Sequence, residues 1–155
     1  MNKNKGFTFI EVITVIVIIG IISAVAIAKS FNFQETANEN SAVAKFKTHL
    51  VYARTNALNS DKKWGIGLEG NLGYYLFKIE NNASKKQYLP GEENLVVKLS
   101  ESGNLSISGH DIVFNSFGHP SLPSDSESTI TGSEFTINFS LGNKSLKVHK
   151  SGYIK

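Results

Sequence analysis

One carboxylate, Glu11, lies inside an otherwise uncharged and mostly apolar segment, residues 7–28, and is the residue of this chain with the clearest chemistry. A charged side chain at the centre of a bilayer costs roughly 2.5–3.5 kcal/mol on insertion scales, so it is a functional-site candidate by default. The chemistry open to Glu11 is charge pairing, because a cation supplied in the apolar environment lowers that cost. The segment has no cation of its own, whereas Lys3 and Lys5 stand just before it.

Other chemical patterns are weak. Cysteine is absent, which excludes a disulfide framework and thiolate metal sites. No serine stands in a nucleophile-elbow context, and the histidines have no metal-ligand spacing. The residues therefore predict no enzyme, no metal and no other cofactor. Those histidines are His49, His110, His119 and His149.

Net charge is +3 and would fall to +1 if residues 1–6, with their two lysines, were removed. Charge alone therefore does not point to nucleic acid.

The apolar segment is long enough to cross a membrane. Its 22 residues would span about 33 Å as a helix, against a hydrocarbon core of about 30 Å. Three interpretations are open: a cleaved secretory signal with residues 23–26 imitating its cleavage site, a plain anchor with Glu11 solvated at the interface, and a retained helix with Glu11 paired in an assembly. The run exceeds the 7–15 apolar residues of a signal peptide, which favours retention.

An amphipathic helix is predicted to follow, because apolar residues recur at spacings of three and four: Val43, Phe46, Leu50, Ala53 and Ala57. His49 is expected on its surface. Arg54, near the helix end, is expected to pair with an acid or to cap carbonyl groups.

From Trp64 onward the composition changes to glycine, aromatic and β-branched residues, which predicts strands. Trp64 and Phe117 are expected to be core or edge residues. A hairpin turn is predicted at 141–144 and one long exposed loop at 116–133. The predicted fold is α+β: a long N-terminal helix, half transmembrane and half amphipathic, packed on a C-terminal antiparallel β domain. The predicted strands are 64–68, 73–79, 94–99, 111–115, 134–140, 145–149 and 153–154.

The run Lys5-Gly6-Phe7-Thr8-Phe9-Ile10-Glu11 resembles the class III signal of type IV pilins and type II secretion pseudopilins. The resemblance implies cleavage after Gly6, N-methylation of Phe7 and retention of the apolar segment. Glu11 then becomes the fifth residue of the mature chain, as the family pattern requires. Gly20 also matches many members, whereas Ala28 stands where many carry proline.

The resemblance implies four segments: a leader at 1–6, a transmembrane and filament-core helix at 7–28, an amphipathic helix at 29–60 and a globular β domain at 61–155. It implies storage in the bacterial inner membrane as a single-pass protein, with the N-terminus cytoplasmic and the C-terminal domain periplasmic, followed by transfer into a filament. Glu11 would meet the terminal ammonium of Phe7 on a neighbouring subunit. Implied partners are the prepilin peptidase and N-methyltransferase, other major and minor pilins or pseudopilins, the inner-membrane assembly platform and membrane lipid.

Three short segments, 50–57, 112–118 and 146–154, are similar to the H-type minor pseudopilins and their FimT-like relatives. Asn56 stands where that branch usually has glutamate. The resemblance implies a minor subunit near a filament tip. Candidate contacts with partner pilins or cargo lie in the predicted loop: Ser116, Phe117, His119 and Ser124.

A DNA-binding pilin of natural competence is the alternative. Relatives with that activity carry arginine in the C-terminal segment, where this chain has none. Lysine supplies charge without the fork geometry of arginine, so DNA is not the expected partner. Its candidate contacts would be Lys144, Lys147, Lys150 and Lys155.

Overall fold

The computed structural model describes residues 7–99, 105–123 and 136–155, with the backbone alone at 28–35 and 136–139. The described residues belong to two compact units, Met1–Ala37 and Asn38–Lys155. In chain order the elements are α1 (Phe9–Leu58), β1 (Lys63–Leu68), β2 (Gly73–Glu80), β3 (Ala83–Gln87), β4 (Val97–Lys98), β5 (Ile107–Ser108), β6 (Ile112–Phe114), β7 (Pro120–Ser121), β8 (Thr136–Leu141) and β9 (Lys144–His149).

The first unit is helical from Phe9, where α1 begins. Every side chain described between Phe7 and Ile27 is exposed, including the large apolar ones. The stretch Phe9–Ile27 is 19 residues long and apolar enough, by length and composition, to cross a membrane. Such exposed apolar surface requires lipid or protein around it, consistent with a membrane-anchored subunit.

In the second unit, α1 buries the stripe that its sequence predicts. Phe46, Leu50, Ala53 and Ala57 are fully buried, and Val43 is half-buried against the same core. The Phe46 ring meets Tyr74 of β2 edge to face, with centroids 4.8 Å apart. Aromatic pairs in this geometry add about 0.5–1.5 kcal/mol to area burial.

The described strands form two antiparallel sheets. One has the order β3-β2-β1-β6-β7, with β4 pairing β2, and the other has the order β5-β8-β9. Side chains of both sheets join the helix stripe in one core: Ile66, Leu76, Ile112, Phe114, Leu141, Leu146 and Val148. The predicted α+β arrangement of helix and antiparallel sheet is therefore confirmed.

Three strands were not predicted from the sequence. All but the last residue of β3 are exposed, so it lacks the alternation that marks a half-buried strand. A two-residue turn with left-handed backbone at Asn81 (φ 53°) and Asn82 (φ 59°) pairs β3 with β2. The short strands β5 and β7 were also missed. Because β7 lies at Pro120–Ser121, the prediction of one unbroken loop over 116–133 is wrong there; residues 124–133 lie outside the described part of the chain.

Both edges of the larger sheet are unsuited to further strand pairing. The edge strand β3 exposes Lys85 and Lys86, and β4 beside it has two residues. The opposite edge, β7, also has two residues and begins with Pro120, which has no N–H to donate.

The prediction of a surface His49 is wrong, because the side chain is only 3% exposed. Its Nδ1 lies 2.9 Å from the Tyr74 hydroxyl, and its Nε2 lies 3.9 Å from the Glu92 carboxylate. Glu92 in turn pairs with Lys45 at 2.6 Å. A polar residue can occupy the buried side of the helix here because the sheet supplies its hydrogen-bond partner.

We expect His49 to make the protein less stable in acid. Burial lowers the pKa of His49 more than the Pro90 carbonyl and Glu92 raise it. The unfolded chain therefore binds an extra proton below the ordinary pKa of about 6.5, and the free energy of unfolding falls as pH falls through that value. Urea unfolding of the full chain in detergent at pH 7.5 and pH 5 measures this change.

The matched comparison uses His49→Gln, which does not titrate, and His110→Gln, which alters an exposed histidine. We expect the first variant alone to show a shallower pH dependence of unfolding than the wild type. Equal slopes for His49→Gln and the wild type would contradict a buried neutral imidazole.

Candidate functional site

Glu11 and Thr8 form a capping box at the start of α1. The Thr8 amide and hydroxyl both donate to Glu11 Oε2, at 3.3 and 3.4 Å, and the Glu11 amide lies 3.3 Å from Thr8 Oγ1. The Glu11 amide also donates to the Thr8 carbonyl at 3.1 Å. Thr8 is thus the N-cap and Glu11 the third helical residue, and each satisfies an amide that the helix leaves unpaired.

This arrangement holds a negative charge where the helix favours one. The N-terminal end of a helix carries a partial positive charge, so a carboxylate in the first turn is stabilised there. Both bonds from Thr8 end on Oε2, and among the described residues no hydrogen bond ends on Glu11 Oε1. The carboxylate can therefore keep its cap and accept a cation on its second oxygen.

The predicted processing residues fall around this box. Phe7 precedes the N-cap and is 84% exposed, whereas Lys5 and Gly6 lie outside the described residues. Cleavage after Gly6 would leave the new amino group one residue before Thr8. The sequence reasoning missed Thr8, although the pattern Thr-x-x-Glu before an apolar run is a capping signal that could have identified it.

The candidate partner contacts lie on a short hairpin tip between β6 and β7. Asn115 Oδ1 accepts hydrogen bonds from the Phe117 amide at 3.0 Å and the His119 amide at 2.9 Å. Ser116, Phe117 and His119 are all exposed, whereas Ser124 lies outside the described residues. The expectation that Phe117 is a core or edge residue is wrong, because the residue is 75% exposed and lies in the turn that Asn115 closes.

The four C-terminal lysines are exposed on and around β9. Lys147 and Lys155 exchange two backbone hydrogen bonds of 2.9 Å, so their side chains stand opposite each other on one face. Lys144 begins β9 and Lys150 lies in the turn that follows it. Residues 144–155 contain no acid, so this face is basic.

Arg54 joins the two candidate surfaces. Its Nε donates to the Gly118 carbonyl and its Nη2 to the Ser151 carbonyl, both at 3.2 Å. Of the two roles predicted for Arg54, carbonyl capping is the one observed. Gly118 and Gly152 lie against this guanidinium with left-handed backbone, at φ 72° and 78°, and a side chain at either would crowd it.

An exposed apolar helix with a capped carboxylate in its first turn, followed by a helix packed on antiparallel sheets, is a pilin-like arrangement. The family model for the "Prokaryotic N-terminal methylation motif" matches residues 1–27. The match supports a type IV pilin-like protein, and a motif of this kind implies processing by a peptidase and pilin-type partners in general. No curated protein and no solved structure matches the chain.

Proposed function

We propose that this chain is a minor pilin or pseudopilin, a subunit stored in the inner membrane and assembled near the tip of a type II secretion pseudopilus or type IV pilus. The observation that carries the proposal is the Thr8–Glu11 capping box at the head of an exposed apolar helix. A carboxylate at this place is costly unless it is bound. Thr8 binds its Oε2, and among the described residues no hydrogen bond ends on its Oε1.

The capping box explains how one carboxylate serves both states of the subunit. Before assembly, Thr8 solvates the Glu11 carboxylate at the membrane interface. After cleavage behind Gly6, each subunit carries an ammonium group on Phe7. In the filament the Phe7 ammonium of a neighbour binds Glu11 and fixes the register between the two subunits, because a buried charge without its partner would be strongly unfavourable.

The minor, H-type assignment is supported by the way the chain folds around Arg54. The three segments that resemble this branch are distant in sequence, yet Arg54 of the first binds the Gly118 carbonyl that ends the second and the Ser151 carbonyl within the third. The resemblance therefore covers residues that form one structural feature. The β domain would face outward, in the periplasm and on the filament.

The mature N-terminus tests the proposal. Mass spectrometry of the protein purified from membranes is expected to find a chain that begins at N-methyl-Phe7. A Gly6→Val variant is expected to keep the leader and its unmodified Met1. A chain that begins after Ala26 would show a cleaved secretory signal, and an uncut wild-type chain would show a plain anchor; either result would overturn the assignment.

DNA binding is the second candidate function. The observation in its favour is that Lys147 and Lys155 are both exposed and lie opposite each other, so that their charges could meet successive phosphates. It ranks lower because Arg54 is the only arginine of the chain and is already bound to two carbonyl groups.

A further inference from the structure

Two hairpin tips expose apolar side chains around Arg54. The first tip, residues 115–119, exposes Phe117 and the second, residues 149–153, exposes Tyr153, whose ring is 61% exposed. Leu58 of α1 is 46% exposed, and its Cδ2 would contact a side chain placed at Gly118. We call this the twin-tip surface: Leu58, Phe117, His119, His149 and Tyr153.

The backbone of each tip is held in place by hydrogen bonds. In the first, the Gly118 amide donates to the Asn115 carbonyl at 2.8 Å. In the second, the Gly152 amide donates to the His149 carbonyl at 2.7 Å, and the His149 amide donates to the Tyr153 carbonyl at 2.8 Å. Arg54 bonds to both tips. Aromatic side chains on such an ordered backbone lose little entropy when a partner binds, which makes them effective anchors.

The two tips carry basic residues and no acidic ones, and the acid nearest in sequence to Leu58 is Asp61. Residues 112–124 and 144–155 contain no Asp or Glu, whereas the second range contains four lysines. Lys147 and Lys155 share the sheet face of His149 and Tyr153, since they pair in the same two strands. A basic rim around apolar anchors selects a partner with acidic residues beside its apolar ones.

A second copy of this chain is a poor source of that acidic surface. Five of the seven carboxylates described in the second unit already bind groups of their own chain: Glu39, Glu69, Glu80, Glu92 and Asp111. The other two, Asp61 and Glu93, are exposed but lie 32 positions apart in the sequence. A different protein is therefore the better source of an acidic segment.

Nucleic acid also fits less well than polypeptide. Leu58 extends the surface with an aliphatic group that nucleic acid cannot match. The Tyr153 ring stacks on His149 with centroids 5.9 Å apart, so one of its faces is unavailable to a base. Arg54, the residue best suited to phosphate, is engaged by carbonyl groups.

We propose that the twin-tip surface binds an acidic polypeptide segment of a different pilin-type subunit. Apolar side chains of that segment pack on Phe117, Tyr153 and Leu58, and its carboxylates meet Lys147 and Lys155. The identity of the partner as a filament subunit rests on the function proposed above.

The test is photo-crosslinking of the full chain in cells that build the filament, with p-benzoylphenylalanine at position 117. We expect a crosslink to a different pilin-type polypeptide, through a segment that mass spectrometry shows to contain Asp or Glu. The double variant Lys147→Glu with Lys155→Glu is expected to lower the crosslink yield about tenfold or more, because it places like charges across the contact.

A matched control, Lys47→Glu with Lys98→Glu, also reverses two exposed lysines and is expected to leave the yield unchanged. A crosslink to DNA or to a second copy would overturn the proposal, as would a yield that both double variants leave unaltered. Filaments sheared from the same cells distinguish a failure of the twin-tip proposal from a failure of the proposed function. If the wild-type chain is present there without a crosslink at 117, only the twin-tip proposal fails; if the chain is absent, both fail.

Discussion

Replacing Glu11 with leucine is expected to leave the subunit in the membrane and to remove it from filaments. Leucine removes the charge from the apolar segment, so insertion is preserved or improved. Assembly loses the acceptor proposed for the neighbouring Phe7 ammonium, and a buried charge without its partner costs about 3–5 kcal/mol. We therefore expect the fraction of subunit in sheared filaments to fall by a factor of about 100 or more, measured by immunoblot against the membrane fraction.

Two further variants separate the ion pair from the helix cap. Glu11→Gln keeps an acceptor for the Thr8 amide and hydroxyl but removes the charge. Thr8→Val removes the hydroxyl and leaves the carboxylate. If Glu11 acts through an ion pair between subunits, the Gln variant fails to assemble as the Leu variant does, whereas Thr8→Val still assembles at a reduced level.

Normal assembly of both Glu11 variants would contradict the pairing of Glu11 with a neighbour. Glu11 would then be only a local helix cap, and the protein would be an anchored binding module. Any assembly would depend on other contacts. Assembly of the Gln variant alone would indicate that the cap is the required feature and the charge is not.

Replacing Gly152 with alanine is expected to be the most destabilising single methyl addition at the twin-tip surface. Gly152 has φ 78°, a conformation that costs an L-residue about 1–2 kcal/mol. The added Cβ would also overlap the Gly118 carbonyl and Arg54 Nε, both fixed by their mutual hydrogen bond. Overpacking of this kind costs about 1–3 kcal/mol. Urea unfolding of the full chain in detergent, followed by Trp64 fluorescence, is expected to show a loss of about 2–5 kcal/mol, the sum of these ranges.

Gly91 provides the matched control. Its φ is also 78°, but a Cβ placed there meets no atom within 4 Å. Gly91→Ala should therefore show only the loss of stability that comes from the left-handed backbone. The difference between the two variants then gives the cost of crowding Arg54. Equal destabilisation by both variants would mean that the atoms around Arg54 move to admit the added Cβ without lowering the free energy of unfolding.

The helix could be predicted from sequence because its signals are local. Phe46, Leu50, Ala53 and Ala57 repeat with the helical period, and each is buried as that period requires. The same reasoning placed His49 at the surface because it judged the residue by polarity. Burial of His49 depends on the Tyr74 hydroxyl, 25 residues away, which local spacing does not reveal.

The candidate site was only partly predictable. Glu11 could be found because a charge in an apolar run is unusual, and its Thr8 partner carries a recognisable local pattern that was overlooked. The contact of Arg54 with Gly118 and Ser151 was not foreseeable. Its hydrogen bonds join the Arg54 side chain to backbone carbonyl groups that lie 64 and 97 positions further along the chain. Such bonds leave no periodic trace in the sequence.

The edges of the larger sheet have a consequence for the filament subunit proposed above. Subunits crowded in a membrane would be at risk of joining through their strands, which gives cross-β aggregates. Lysines along β3, the shortness of β4 and β7, and Pro120 at the far edge all disfavour that route. In the proposed filament, ordered growth would then depend on the N-terminal helix, and the outer surface of the sheet could vary without creating a competing mode of self-association.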